Sequence, residues 1–168
     1  LEGRRVATVE VRESRLRWPV PEGLTQFLTG ARLERLERRA KYLLFRFDRG
    51  TLIGHLGMSG SMRLVEPATP WRTHDHVALT FEGATQLRLN DPRRFGSLHW
   101  SAHEALAGHF LIEHLGPEPL GDDFDGGLLH ARARGRRVPV KAFLMDAKVV
   151  VGVGNIYANE ALFRAGIH

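Results

Sequence analysis

Lys148-Val-Val-Val-Gly-Val-Gly-Asn-Ile-Tyr-Ala-Asn-Glu-Ala-Leu-Phe163 is an apolar run that breaks on two glycines and restarts as a helix at Asn155. Gly152 and Gly154 let backbone approach a ligand without a Cβ in the way. Asn155 is a good cap for a helix that runs to Gly166, where a glycine can end it. Bare amides at a helix start attract anions, so the turn reads as a phosphate-binding device. Alone, Gly-Val-Gly-Asn describes a plain helix entry equally well, and the surrounding chain has to decide.

Upstream of this turn, Gly116-Pro-Glu-Pro-Leu-Gly-Asp-Asp123 is a linker, because its prolines and glycines cannot continue a helix. Everything after it reads as helical, and Ser101 to Leu115 before it reads as a helix capped by Ser101. The first two-thirds of the chain read as β. Ala7/Val9/Val11, Leu43/Phe45/Phe47, Val77/Leu79/Phe81 and Leu87/Leu89 alternate with polar neighbours, and Asp48-Arg-Gly and Glu82-Gly are turn signals. Short, closely spaced strands predict a sandwich. One helix interrupts them, started by Pro21, striped by Leu24, Phe27 and Leu28, and ended by Gly30. The predicted class is α+β, with a β-sandwich and flanking helices over 1–115 and an all-helical domain over 116–168.

The 168 residues include no cysteine, which excludes disulfides, thiolate nucleophiles and thiolate zinc sites. No apolar stretch approaches the roughly 20 residues that span a bilayer, so a cytoplasmic protein with no membrane partner is expected. The net charge of +5 is segregated. Seven basic residues face three acidic ones between Arg32 and Arg49, and six face one between Arg132 and Lys148, whereas Ser101 to Asp125 holds acidic residues and no Lys or Arg. An arginine-rich composition raises the total charge but does not cluster it. Clustering of this kind predicts a polyanion partner bound with strong salt dependence.

Several separated strings, in order, carry a resemblance. Lys141-Ala-Phe-Leu-Met-Asp-Ala-Lys148 with the Gly-Val-Gly-Asn turn and Ala-Gly-Ile-His168 resembles the helix, two turns, helix element of formamidopyrimidine-DNA glycosylases, bacterial enzymes of base-excision repair. The likeness extends through Arg38-Arg-Ala-Lys-Tyr-Leu-Leu44, His55-Leu-Gly-Met-Ser-Gly60, His74-Asp-His-Val77, Asn90-Asp-Pro-Arg-Arg-Phe-Gly96 and His114-Leu-Gly-Pro-Glu-Pro-Leu120. The resemblance implies a monomeric bifunctional glycosylase and lyase that acts on double-stranded damaged DNA at the bacterial nucleoid, removing oxidised purines through a Schiff base. It implies an N-terminal proline nucleophile followed by a glutamate, and a four-cysteine zinc finger after the helical domain. Neither feature is in these residues, and Glu2 is not that glutamate. The chain is therefore expected to be truncated at both ends, with an incomplete helical domain and no cofactor of its own, and to lack glycosylase activity by itself. The alternative is a DNA-binding remnant without catalysis.

Individual residues sharpen this. In an extended segment Arg93 and Phe95 point to one side, an aromatic wedge beside a forked donor, as needed to hold a duplex open once a base has been flipped out. A core phenylalanine beside a surface ion pair fits the same residues. Met58, between glycines, is expected in a loop, with a flexible thioether suited to filling a void. The resemblance makes Met58, Arg93 and Phe95 the void-filling set, with Arg93 on the widowed base, and favours the oxidised-purine branch over the endonuclease VIII branch. Arg94 serves structure. Lys41 could clamp phosphate or transfer protons, and the resemblance places it beside the lesion as the one catalytic residue of the family within this chain. His74 and His76 on one strand face make at most a weak metal site, and the resemblance assigns His74 to the DNA backbone. By the same resemblance Arg136, Lys141 and Asn155 grip phosphates, which suits two cations and an amide.

Overall fold

Leu43, Phe45 and Phe47 share one side of a single strand, and the two phenylalanines are sealed in the interior. Each such ring contributes roughly 1.5–3 kcal/mol on burial, which drives the strands around it to pair and cover it. The computed structural model describes residues 1–167; His168, the end of the predicted second domain, lies outside them. Up to Leu106 the chain forms one compact unit. Its elements are β1 (Val6–Val11), α1 (Leu24–Leu28), β2 (Leu33–Arg39), β3 (Tyr42–Phe47), β4 (Gly50–His55), β5 (Ser61–Val65), β6 (Asp75–Phe81), β7 (Thr85–Asn90) and β8 (Ser97–Ser101).

The strands make two four-stranded antiparallel sheets, ordered β1-β6-β7-β5 and β2-β3-β4-β8. The core lies between them: Val77, Leu79, Phe81 and Leu89 from the first sheet meet Leu33, Phe45, Phe47, Leu52 and Leu98 from the second, with Leu24 and Leu28 of α1 closing one end. This is the predicted sandwich. The helix begins later than predicted, at Leu24 rather than Pro21, because Gly23 takes a left-handed φ of 82° in front of it. Phe27 does not join the buried stripe but stacks on Trp100 with ring centroids 5.4 Å apart. In β1 the expected inward set is also corrected. Val6 is buried and Ala7 and Val11 are exposed, because the register slips between Val6 and Thr8 and the bulge at Ala7 turns the strand over.

The predicted helix from Ser101 to Leu115 does not form. Ser101 pairs with Thr51 as the last residue of β8, and turns follow it. Gly108 weakens a helix in this window, and the His109 ring accepts the Leu111 amide through Nδ1 at 3.3 Å, a local bond that competes with a helical one. The second compact unit begins at Ala107, so the turns of 107–115 group with it rather than with the sandwich to which the sequence reading assigned them.

That second unit holds α2 (Gly126–Ala133), α3 (Val140–Met145) and α4 (Asn155–Arg164) around Phe143, Val149 and Val150. It is helical but not continuously so, since turns occupy 134–139 and 146–154. The linker is stitched onto the second of these. Gly116 N–H donates to the Ala147 carbonyl, Val151 N–H donates to the Pro117 carbonyl, and a Cβ on Gly116 would sit 2.7 Å from the Lys148 carbonyl oxygen. Arg132 completes the join by donating to the Lys148 and Val149 carbonyls. At the far end, Gly166 at φ 65° donates to the Phe163 carbonyl and Ile167 to that of Leu162, a paired C-terminal cap that stops α4 where a glycine was expected to.

Candidate nucleic-acid interface

Four of the residues singled out in the sequence meet in the first unit. Lys41, Met58, Arg93 and Phe95 line one open cleft of about 940 Å³, although they come from three separate strings. Pairing explains the convergence. Lys41 sits in the tight turn Ala40-Lys41 between β2 and β3, with Ala40 at a left-handed φ of 54°. The β3–β4 hairpin then sets Tyr42 opposite His55, so the β4–β5 loop carrying Met58 leaves from the same end as Lys41. β4 in turn pairs with β8, with His55 opposite Ser97, which brings the β7–β8 loop with Arg93 and Phe95 alongside.

Met58 is 75% exposed and Phe95 41%, and neither belongs to the core, so the reading of Phe95 as a core residue falls. The Arg93 guanidinium lies over the Phe95 ring at 4.6 Å. The segment between them is not extended as expected: Arg94 takes a left-handed φ of 55°, and the two neighbours are brought together by that turn. Arg94 itself reaches Glu13 at 3.5 Å, in keeping with a structural role. Glu13 also chelates Arg15 at 2.8 Å, and those hydrogen bonds hold its carboxyl at about 2, so it stays ionised throughout the working range. The cleft lining includes five cations (Arg15, Arg17, Lys41, Arg93 and Arg94) and no carboxylate.

His55, Arg15 and Arg17 also line the cleft, and sequence reasoning missed them. For His55 a signal existed: closing the hairpin on Asp48-Arg-Gly puts His55 beside Tyr42, next to Lys41. Its imidazole is pushed below the usual histidine value by burial, with Arg17 and Lys41 adding to the effect. Nδ1 accepts the Gly57 amide at 3.0 Å, so in the neutral ring Nε2 carries the proton. Burial raises the neighbouring Tyr42 phenol, against the pull of Arg17.

His74 is not among the cleft-lining residues. It precedes β6 at φ 71° instead of sharing a strand face with His76, and the rings stand 6.1 Å apart. His74 is exposed, whereas His76 is buried with Nε2 2.8 Å from the Asp91 carbonyl. Buried between them in sequence, Asp75 pairs with Arg63 and with the fully buried Arg88, whose guanidinium also donates to the carbonyls of Pro67, Thr69 and Pro70. No charge pattern announced this network. Burial pushes the Asp75 carboxyl up, but hydrogen bonds from Arg63, the Arg72 amide and Asn90 outweigh it and the net shift is downward.

The remaining predicted positions lie in the second unit. Arg136 is exposed just after α2, Lys141 is half-buried in the first turn of α3, and Asn155 is exposed at the start of α4. Asn155 is not the cap. Gly154 occupies that position with extended backbone, and Asn155 is the first helical residue, so the cap offers no side chain to the first-turn amides. Gly152 has a left-handed φ of 79° and no atom within 4 Å of where a Cβ would stand, so backbone conformation, not crowding, asks for glycine there. Glu2 accepts the Leu36 amide at 2.7 Å, a structural use of its carboxylate. The chain has no cysteine, and among the described residues no group of three or more His, Asp or Glu could hold a metal; the zinc that the resemblance implies belongs to a finger after the helical domain. No helix among them is long and apolar enough to cross a membrane.

Comparison with known proteins agrees along the whole chain. The formamidopyrimidine-DNA glycosylase N-terminal domain matches residues 1–98 and the formamidopyrimidine-DNA glycosylase H2TH domain matches residues 115–168. The formamidopyrimidine-DNA glycosylase of Methylococcus capsulatus is 61% identical over 168 residues, covering 100% of this chain and 62% of that protein. That of Stutzerimonas stutzeri is 60% identical over 167 residues, covering 99% and 61%. This chain thus spans about 62% of the length of such relatives. Among solved structures, Lactococcus lactis Fpg in complex with DNA containing an abasic site superposes with a TM-score of 0.91 at 34% identity, over 100% of this chain and 62% of that one. MutM in complex with DNA containing carbocyclic 8-oxo-G gives 0.91 at 34%, over 100% and 63%.

Proposed function

This chain belongs to the formamidopyrimidine-DNA glycosylase family, and on that premise we propose that the protein containing it repairs DNA by excising oxidised purines such as oxidised guanine and formamidopyrimidines, then cleaving the strand at the abasic site. The observation that carries this reading is the single cationic cleft in which Lys41, Met58, Arg93 and Phe95 meet. A base can be excised only after it leaves the stack, and the hole it leaves has to be filled for the duplex to stay open. Met58 and Phe95, exposed and apolar at the cleft, supply the filling. Arg93 supplies directed hydrogen bonds to the base left without a partner. The cationic lining draws the duplex in, and Arg17 and Lys41 are offered to backbone phosphates while Glu13 holds Arg15 and Arg94.

Lys41 stands beside the extruded lesion. Its ammonium is a compact charge that can orient a phosphate or hand over a proton, and together with burial and Arg17 it favours the neutral form of the neighbouring His55 imidazole. The attacking amine is the N-terminal proline of the family, helped by the following glutamate; the 168 residues themselves contain neither at their start. Arg136, Lys141 and Asn155 grip phosphates from the helical unit, and His74 contacts the backbone. The protein works as a monomer on double-stranded damaged DNA in the bacterial cytoplasm.

Borohydride trapping of the natural gene product on a duplex with one oxidised guanine, with intact mass recorded, tests the reading. The expected result is a covalent protein–DNA adduct from a protein heavier than this chain. Absence of an adduct from a protein that binds the same duplex would leave a DNA-binding remnant without catalysis.

A further inference from the structure

Behind the cleft lies a buried acid that none of this chemistry uses. Asp91 is 0% exposed, and its carboxylate joins two loops: Oδ1 accepts the Ser59 hydroxyl at 2.7 Å, and Oδ2 accepts the Gly96 amide at 2.7 Å. The Ser59 hydroxyl in turn accepts the Arg93 amide at 3.3 Å. The carbonyl of Asp91 takes the Arg94 amide and faces Nε2 of His76, and its own amide donates to the His74 carbonyl. One residue thus anchors the β4–β5 loop, the β7–β8 loop and the entry to β6.

Placement gives this network a meaning beyond packing. Ser59 is next to Met58 and Gly96 is next to Phe95, so the carboxylate holds the immediate neighbours of two void-filling side chains and, through the Ser59 hydroxyl, the amide of the third, Arg93. The loops also touch directly: a Cβ on Gly57 would stand 2.5 Å from the Phe95 carbonyl carbon, and one on Gly96 would stand 2.8 Å from the His55 carbonyl oxygen. Backbone contact removes slack in one direction, and the hydrogen bonds remove it in the other. Burying a carboxylate costs free energy unless it is fully hydrogen-bonded. Here the compensating donors come from two separate loops, so the acid is satisfied only while those loops hold their mutual position.

We propose that Asp91, acting through Ser59, is the positioning residue for the void-filling set, fixing Met58 relative to Arg93 and Phe95 before DNA arrives. The proposal rests on the glycosylase reading above. Insertion into a stack tolerates little misplacement, and misplacement by about 1 Å is enough to cost on the order of 100-fold in a chemical step.

The test uses the full-length natural protein, since the attacking amine is needed. Single-turnover excision of oxidised guanine and the fluorescence of 2-aminopurine placed beside the lesion, which brightens on unstacking, are measured for wild type, Ser59→Ala, Ser59→Thr and Asp91→Asn. Ser59→Ala leaves the Asp91–Gly96 bond intact, so it remains informative if Asp91→Asn fails to fold. Expected for Ser59→Ala is about a tenfold loss of both the fluorescence rise and excision, the effect of one hydrogen bond to a charged group. Affinity for undamaged duplex should stay near wild type, the thermal midpoint should fall by only a few degrees for the lost donor to a buried carboxylate, and Ser59→Thr, which keeps the hydroxyl, should restore most of both losses. Wild-type insertion and excision by Ser59→Ala, or an equal loss on undamaged DNA, would overturn the positioning role while leaving the glycosylase reading in place. A wild-type protein that excises nothing would overturn both.

Discussion

At the scale of single residues, the cleft separates side chains that read DNA from side chains that only hold it. Phe95 and Arg93 form a stacked pair at 4.6 Å that faces solvent, and stacking of a base on an aromatic ring contributes about 1–3 kcal/mol. Phe95→Ala or Arg93→Ala in the full-length protein is therefore expected to lower lesion excision by roughly 5- to 150-fold, with much less change in binding to undamaged duplex. Arg136→Ala should instead weaken binding to damaged and undamaged duplexes alike and reduce the slope of log affinity against log salt by about one. Equal losses on both kinds of DNA for the first pair, measured by fluorescence anisotropy alongside excision, would remove them from the void-filling role. These residues were legible in the sequence because motifs isolate them from the core pattern: Met58 lies between glycines, and Arg93 and Phe95 follow an Asn-Asp-Pro turn. His55 was legible only by closing the hairpin on Asp48-Arg-Gly, and Arg15 and Arg17 were not legible, since nothing local distinguishes a cleft cation from a solvated one.

At the scale of elements, hydrophobic alternation found β1, β3, β6 and β7 and missed β2, β4, β5 and β8, although Leu52 of β4 and Leu98 of β8 lie in the core: β4 is buried along nearly its whole length and so shows no alternation. β3 and β6 announced themselves through Phe45, Phe47, Val77 and Phe81, whereas β2 repeats Leu-Glu-Arg along a largely exposed sheet edge and reads as a charge run. The predicted helix after Ser101 failed for a related reason, because pairing with Thr51 is a long-range bond that a local pattern does not contain. Arg88 is the extreme case. A fully buried arginine in β7 breaks the rule that such residues lie outside, and it is tolerated because Asp75, Gln86 and three loop carbonyls satisfy it. Asp75→Ala should leave Arg88 buried without its counter-charge and cost about 3–5 kcal/mol, seen as a large drop in the urea midpoint. A loss under about 1 kcal/mol would mean that the carbonyls alone carry the guanidinium.

For the whole molecule, the groups pushed down in the folded state all act in one direction with pH. Asp75, Glu13, His55 and His109 each have folded values below their ordinary ones. The unfolded chain then binds more protons than the folded chain between the two values, so each group contributes its stability in full above its ordinary value and loses it as pH falls through the depressed one. Tyr42, raised by burial, has the opposite sign and acts only above about pH 10. The thermal midpoint is thus expected to be level between about pH 7 and 10, to fall below about pH 6.5 as the imidazoles titrate, and to fall again below about pH 4. A midpoint that rises on acidification through the first window, followed by near-ultraviolet circular dichroism, would contradict this. The β3–β4 hairpin carries a different consequence. Its six paired positions run from Phe47↔Gly50 at the turn to Tyr42↔His55 at the cleft, about 17 Å of strand, and side chains alternate faces at every step. The hairpin therefore works as a ruler: a single residue inserted at Asp48-Arg49 that slipped the register would swing His55 away from Lys41, although the insertion lies at the opposite end of the sheet. That turn can therefore change only in ways that leave the register of the hairpin as it is.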